Sequence, residues 1–460
     1  MAKRPNIILI TVDALRADYL GFLGYQKEIS PNLDKFAKEC ATFTSAFTTG
    51  SHTPYSFPAI LTSTYPLDYQ GPFRLERPRM MISEVLKEEG FQTAAFQSGP
   101  YLSSYFGYNQ GWDVFEEIAY PLPEGVGEKR EGVIFSLRRF LINLFAKLTL
   151  NSFPHLFFWA LYLSYRITKK RTSKITASFM NQIVKDFIHS IQEKKEPIFM
   201  WIHYMDVHGP FLPYDWYFQE RTLSYQEFMS KELPGFILDY YPSSNIIFKK
   251  FSNKYLKNSI DLYEQGIKYV DEKIGELLEF LKKENIYQNS IICLTADHGT
   301  EFLEHNGAEH NMGKLYNELL HVPLLIKIPG KQNQIIDKKI SLIDLAPTLC
   351  DLAGVKTSPF FKGKNLFSQK NGLIFHQAGQ AKREDVWNIE IEKLSQCKVA
   401  CQSDTWKYIL DYGTRAEEIY NLSRDQKEQN NLSKVKPEIL SQMRKKIKEF
   451  EEKNPPLPLV

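Results

Sequence analysis

Short apolar, β-branched runs spaced by helix-length patterns constrain this chain more than any other feature. Asn6 to Val12, Phe91 to Phe96, Pro197 to His203, Ser290 to Ala296 and His321 to Ile328 each read as a strand. Near-continuous apolar runs of this length are what strands covered on both faces look like. Between them lie helical patterns. Ser30-Pro31 opens one that runs through Cys40, Met80 to Glu89 is closed by Gly90, Asn258 to Lys283 is long, and Leu342 to Ala353 stops at Gly354. Strands alternating with helices predict an α/β fold with a mostly parallel sheet sandwiched by helices.

Ligands bind off the carboxyl ends of strands in such sheets, so the residues just past each run deserve the first look. Asp13 follows the first run, Asp297-His298-Gly299 follows the fourth, and Asp206-Val207-His208-Gly209-Pro210 comes after the third. Gly50-Ser51-His52-Thr53-Pro54 adds hydroxyls and a histidine ahead of a Pro-started helix, whose first N–H groups and positive dipole end face that loop. Asp13, Asp297 and His298 are hard or borderline ligands on separate strand ends, which suits one divalent cation: calcium, manganese or zinc. Each residue also has a plainer reading. Asp13 and Thr53 can cap helices, His208 and His310 can be satisfied core histidines, and Lys314 can be a solvated lysine.

After about Asn371 the pattern changes to short strand-like pieces at Leu373 to His376, Cys397 to Gln402 and Thr405 to Asp411, and then a charged amphipathic helix at Lys436 to Lys453. This predicts a catalytic domain over 1–370 and a small α+β subdomain over 371–460. A segment at about 121–195 stands apart. From Gly132 to Lys185 it has no acidic residue, and it carries Arg138, Arg139, Arg166, Lys169, Lys170 and Arg171 among bulky residues such as Phe157, Phe158 and Trp159. Basic helices with large apolar faces lie on anionic membrane surfaces, so 132–176 is a candidate for peripheral membrane contact, the alternative being a buried insertion with its cations in solvent. A net charge of +3 argues neither for nor against nucleic acid, and no such partner is expected. Five scattered cysteines without a CxxC pair, and a first apolar run too short for a signal peptide, are read as a cytoplasmic protein, peripheral at the inner membrane face if that segment docks.

Several of these stretches together resemble the sulfatase branch of the alkaline phosphatase superfamily. They are Asn6 to Asp18, Ser30-Pro31-Asn32-Leu33-Asp34, His203 with Asp206 to Pro210, Ala296 to Phe302, His310, Lys314, Tyr316-Asn317-Glu318 and His321-Val322-Pro323-Leu324. Asp344 to Thr348, Trp406-Lys407-Tyr408 and Glu418 to Leu422 continue the pattern in order. The resemblance implies that Asp13, Asp297 and His298 hold a metal ion and that Thr53, at the nucleophile position, is also within its reach. It implies that His208, His310 and Lys314 line the ester, and it makes Glu301, His305 and Glu309 candidates for a second metal or for outer support.

The chain departs from the family where the chemistry starts. Sulfatases carry Cys or Ser in a C/S-x-P-S-R element that becomes formylglycine. Here Thr53 holds that position, Tyr55 replaces the proline and Phe57 the arginine, so no formylglycine is expected. Threonine nucleophiles belong to related phosphoethanolamine and phosphoglycerol transferases. The expectation is therefore a metal-dependent hydrolase of sulfate, phosphate or phosphonate esters acting through Thr53, on a glycan or lipid headgroup. The alternatives are a transferase to a glycan and a catalytically silent protein that binds anionic glycan or lipid.

Overall fold

The computed structural model describes residues 4–69, 71–75, 78–118, 176–191, 196–209, 211, 245–310, 313–368, 372–379 and 397–454. The basic segment 132–176 lies outside them except for Thr176. Its strands begin with β1 (Asn6–Val12), β2 (Ala41–Phe47), β3 (Gln92–Gln97), β4 (Val114–Glu117), β5 (Ile198–Tyr204) and β6 (Ser290–Ala296). A small hairpin, β7 (Glu301–Phe302) with β8 (Ala308–Glu309), comes before β9 (His321–Lys327) and β10 (Gln334–Ser341). Eight of these form one sheet in the order β10-β2-β9-β6-β1-β5-β3-β4.

β1, β5 and β6 sit at the centre, and Ile7, Ile8, Leu9, Ile10 and Val12 are at most 1% exposed. Burying side chains of this kind contributes about 2 kcal/mol each before entropy is counted. The helices α1 (Pro31–Ala37), α2 (Thr53–Thr62), α3 (Ile82–Glu88), α4 (Ala177–Ser190), α5 (Asn245–Lys283) and α6 (Leu345–Leu352) cover the sheet. α4 buries Ala177, Met180, Val184 and Phe187 in the main core, so the chain is back in the common scaffold by Ala177.

β9 is antiparallel to both β6 and β2, whereas every other neighbouring pair in this sheet is parallel. Two reversals cancel, so β2 runs with β6. The carboxyl ends of β1, β2, β3, β5 and β6 therefore all open on one edge, and β9 begins there.

A separate antiparallel sheet, β11 (Ile374–Gly379), β12 (Cys397–Gln402), β13 (Trp406–Asp411) and β14 (Glu417–Asn421), comes last. One of its faces packs on Phe47, Leu315 and Leu320, and the other takes Leu440, Met443, Ile447 and Phe450 of α7 (Pro437–Lys453).

The α/β architecture expected from the sequence is present. β2, β4, β10 and β14 were not anticipated, since edge or polar strands such as Ala41-Thr42-Phe43-Thr44-Ser45 lack an apolar run. α1 ends at Ala37, short of Cys40, and α5 begins at Asn245, well ahead of Asn258.

Candidate active site

Asp13 leaves β1 with its N–H on the Tyr204 carbonyl at 2.9 Å. The next residue, Ala14, has φ +59°, a strained value for a residue with a Cβ. Its N–H reaches Asp297 Oδ1 at 3.2 Å and its carbonyl accepts from the Tyr263 hydroxyl at 2.8 Å, so this turn is held from both sides. Asp297 and His298 follow β6 directly, and Gly299 allows a close approach, since a Cβ there would sit 2.0 Å from the Glu318 carbonyl oxygen.

The loop into α2 is fixed in a similar way. The Thr48 and Thr49 carbonyls accept from His376 Nδ1 and the Gln377 N–H, both at 2.8 Å, and Ser56 Oγ donates to the Gly50 carbonyl at 2.8 Å. A Cβ on Gly50 would lie 2.4 Å from that of Tyr55. Thr53 is therefore set as the first residue of a helix whose ten residues are all buried, with the helix dipole behind it.

Thr53 Oγ1 lies 3.5 Å from Asp13 Oδ2 and 3.4 Å from His298 Nε2. His298 Nδ1 donates to the Gly299 carbonyl at 2.8 Å; a carbonyl only accepts, so in the neutral ring Nε2 is a bare lone pair. That lone pair faces Asp13 Oδ1 at 3.6 Å and Asp297 Oδ2 at 3.4 Å, and neither oxygen has a hydrogen-bond partner. Three buried acceptors turned on one another fit a divalent cation, and among the described residues these three alone form such a group. Burial opposes charge on Asp13, but the facing histidines, His208 first, hold its carboxyl well below the usual range. Burial and the Asp13 charge push Asp297 up.

Further histidines close over this centre. His310 lies with its ring centroid 4.7 Å from that of His298, 4.6 Å from that of His208 and 4.7 Å from that of His52. His208 Nε2 and His310 Nε2 are 3.3 Å apart, and His208 Nδ1 donates to the Gly209 carbonyl at 2.5 Å. The structure thus brings Asp13, Thr53, His208, Asp297, His298 and His310 together.

Lys314 is engaged elsewhere, with its ammonium 2.5 and 2.8 Å from the Glu301 oxygens and 2.8 Å from the His305 carbonyl. A second metal on Glu301 and His305 does not fit their surroundings. His305 puts Nδ1 on Glu318 at 2.6 Å and Nε2 on the Glu428 carbonyl at 2.9 Å, which leaves it no lone pair. Burial opposes its charge, yet Glu318 raises its pKa. Glu309 pairs with Glu301 across the β7–β8 hairpin.

His52 and His203 were missed as site residues, although both lie inside stretches singled out in the sequence. Trp201 Nε1 donates to Thr11 Oγ1 at 3.0 Å. Thr11 Oγ1 is 2.9 Å from His203 Nδ1, against 3.3 Å from the Ile202 carbonyl. With the hydroxyl hydrogen on Nδ1, His203 Nε2 carries the ring proton and faces Asp13 Oδ2 at 3.5 Å, without a formed hydrogen bond. Phe57 packs beside them, its ring centroid 5.1 Å from that of His203 and 5.3 Å from that of Trp201.

The sheet edge thus gathers two carboxylates, a histidine and a hydroxyl at a helix start into one buried group that could hold a metal ion. The sulfatase family profile matches residues 5–355, so the chain belongs to the sulfatase family. The profile for the C-terminal region of N-sulphoglucosamine sulphohydrolase matches residues 309–453. Arylsulfatase K of Bos taurus is 27% identical over 220 residues, a match spanning 46% of this chain and only 40% of that protein. The ulvan-active sulfatase of Formosa agariphila is 25% identical over 83% of this chain and 67% of its own. Among solved structures, the phosphonate monoester hydrolase of Agrobacterium radiobacter superposes with a TM-score of 0.69 at 18% identity, covering 99% of this chain and 96% of that one.

Proposed function

We propose that this protein is a metal-dependent ester hydrolase whose nucleophile is Thr53 and whose preferred substrates are phosphate or phosphonate esters, on a glycan or lipid headgroup. The observation that carries this reading is the Thr53 hydroxyl at the start of a buried helix, 3.4 Å from His298 Nε2 and 3.5 Å from Asp13 Oδ2.

Asp13, Asp297, His298 and Thr53 are the residues that would hold one divalent cation, whose charge lowers the pKa of the hydroxyl. Asp13 Oδ2 is placed to receive the Thr53 proton as Oγ1 attacks in line, forming the Oγ1–P bond while the leaving oxygen departs opposite. The facing pair His208 and His310 offers charge to the ester oxygens and a proton to the leaving oxygen, contributions worth roughly 10²–10³-fold each. Water then attacks phosphorus and frees Thr53. A formylglycine sulfate can collapse through its second hydroxyl; a threonine sulfate has no such exit and must be attacked at sulfur, which is why phosphorus esters are favoured. The ulvan-active relative supports a glycan as the carrier of the ester.

Turnover of an aryl sulfate, a phosphate monoester, a phosphodiester and a phosphonate ester by metal-loaded protein, beside Thr53→Ala, tests this reading. Phosphorus-ester turnover lost in the variant is the expected result. Sulfate turnover that survives in Thr53→Ala would overturn the nucleophile. Silence on all four with metal bound would favour an anion-binding protein without turnover.

A further inference from the structure

The small antiparallel sheet reaches toward the ester site through one turn. After β14 the chain folds back on Asp425, whose carboxylate accepts the Gln429 and Asn430 N–H groups at 3.0 and 2.8 Å. Inside that turn Glu428 stands at φ +55°, a left-handed conformation that a residue with a Cβ keeps where its surroundings hold it. Glu428 is 1% exposed, and its side chain and backbone both point out of the small sheet. Its carboxylate accepts the Asn317 N–H at 2.6 Å and meets the Lys407 ammonium of β13 at 2.7 Å, while Lys407 also donates to Asn317 Oδ1 at 3.0 Å. Its carbonyl accepts from His305 Nε2 at 2.9 Å. The next residue, Gln429, donates from its amide to the Glu304 carbonyl at 3.1 Å.

The two partners of Glu428 lead to two sides of the site. Asn317 opens the short helix Asn317–Leu320, and the Leu319 carbonyl of that helix accepts the N–H of Gly299, the residue after His298, at 2.9 Å. With the Glu318 carbonyl 2.0 Å from where a Gly299 Cβ would lie, helix and loop are in close contact, so a shift of one displaces the other. His305 lies between the strands of the β7–β8 hairpin, and His310 follows that hairpin directly. The His305 ring stacks on Tyr316 with centroids 3.6 Å apart, and its Nδ1 meets Glu318 Oε1 at 2.6 Å. Acceptors at both ring nitrogens hold it as an imidazolium between Glu318 and Glu428.

We propose that Glu428 is a positioning residue for the ester site: its carboxylate fixes the backbone behind His298, and its carbonyl fixes the hairpin that presents His310. The inference rests on the reading of Asp13, Thr53, Asp297 and His298 as the metal and ester centre. Glu428 acts through Asn317 and His305, so the turn after β14 is part of what makes the site work. Groups that orient a metal ligand from behind are worth about 10–100-fold in metal affinity or activity.

The test compares Glu428→Gln, which keeps the shape and the carbonyl but drops the charge, with Met443→Ala, which opens the core on the other face of the same sheet. Both are expected to lower Tm. At a temperature where both are folded, only Glu428→Gln should lower kcat on the best ester, by about 10–100-fold with KM little changed, and weaken calorimetric binding of manganese to the metal-free protein. If Glu428→Gln does not fold, His305→Ala cuts the same connection from the hairpin side and carries the same expectation. A Glu428→Gln protein that matches Met443→Ala in kcat and in manganese affinity would overturn the proposal. Wild-type protein silent on every ester, with manganese binding still weakened in Glu428→Gln, would count against the ester reading alone and leave Glu428 its place behind His298.

Discussion

Two residues carry the proposed chemistry. In that proposal Thr53 supplies the attacking oxygen, so Thr53→Ser, which keeps a hydroxyl at the helix start, is expected to retain turnover that Thr53→Ala loses by about 10³-fold or more. Steady-state kinetics on the best ester separates the two. His203 faces Asp13, and a positioning role for it is a proposal. Replacing it with Phe removes the Nε2–H that faces Asp13 Oδ2 at 3.5 Å and should weaken metal affinity about 10–100-fold. Calorimetric titration of the metal-free protein measures this without reference to turnover; unchanged affinity would assign His203 a purely structural part.

The β7–β8 hairpin sets the position of His310. Glu301, wholly buried, accepts the His305 and Gly307 N–H groups at 2.9 and 2.7 Å and clasps the Lys314 ammonium, so one carboxylate ties the hairpin to the irregular segment leading into Tyr316. Lys314→Met leaves that carboxylate charged and uncompensated, at an expected cost of about 3 kcal/mol in stability. Denaturant unfolding reads that loss, and kcat falls with it if His310 loses its place.

At this scale the sequence was legible where periodicity is strong. The buried strands β1, β5 and β6 are uninterrupted apolar runs, and the residues after them mark the sheet edge. Edge strands such as β10, with Ile335 79% exposed, carry no such signature. Histidines that stand behind a carboxylate, as His203 does, look in sequence like any core residue. Lys314 reads in sequence as a cation lining the ester, whereas its ammonium is taken up by Glu301, a pairing that depends on how the hairpin closes.

For the molecule as a whole, the join between the two sheets governs behaviour in acid. His376 is buried neutral at that join, with its pKa pushed down to about 3 by burial and then by Lys407. Below the ordinary histidine value of about 6.5 the unfolded chain takes up a proton that the folded chain refuses. The stability is fully present above that pH and drains away as pH falls toward 3, by up to about 4 kcal/mol. Urea midpoints measured across this range should slope less in His376→Gln, which keeps a donor for the Thr48 carbonyl. Removing the metal acts on the other side of the sheet edge. A chelator is expected to lower stability by about 3 kcal/mol relative to protein with metal at a hundred times its dissociation constant. Among the described residues no helix is long and apolar enough to cross a membrane.

The central claim is that Thr53 becomes covalently modified during turnover. Metal-loaded protein, mixed with the best phosphorus ester and quenched in acid, should yield the peptide from Gly50 to Ser63 carrying one phosphoryl or phosphonyl group on Thr53, absent in Thr53→Ala. Rapid turnover with Thr53 unmodified at every quench time, and undiminished in Thr53→Ala, would contradict the account and leave water as the attacking group.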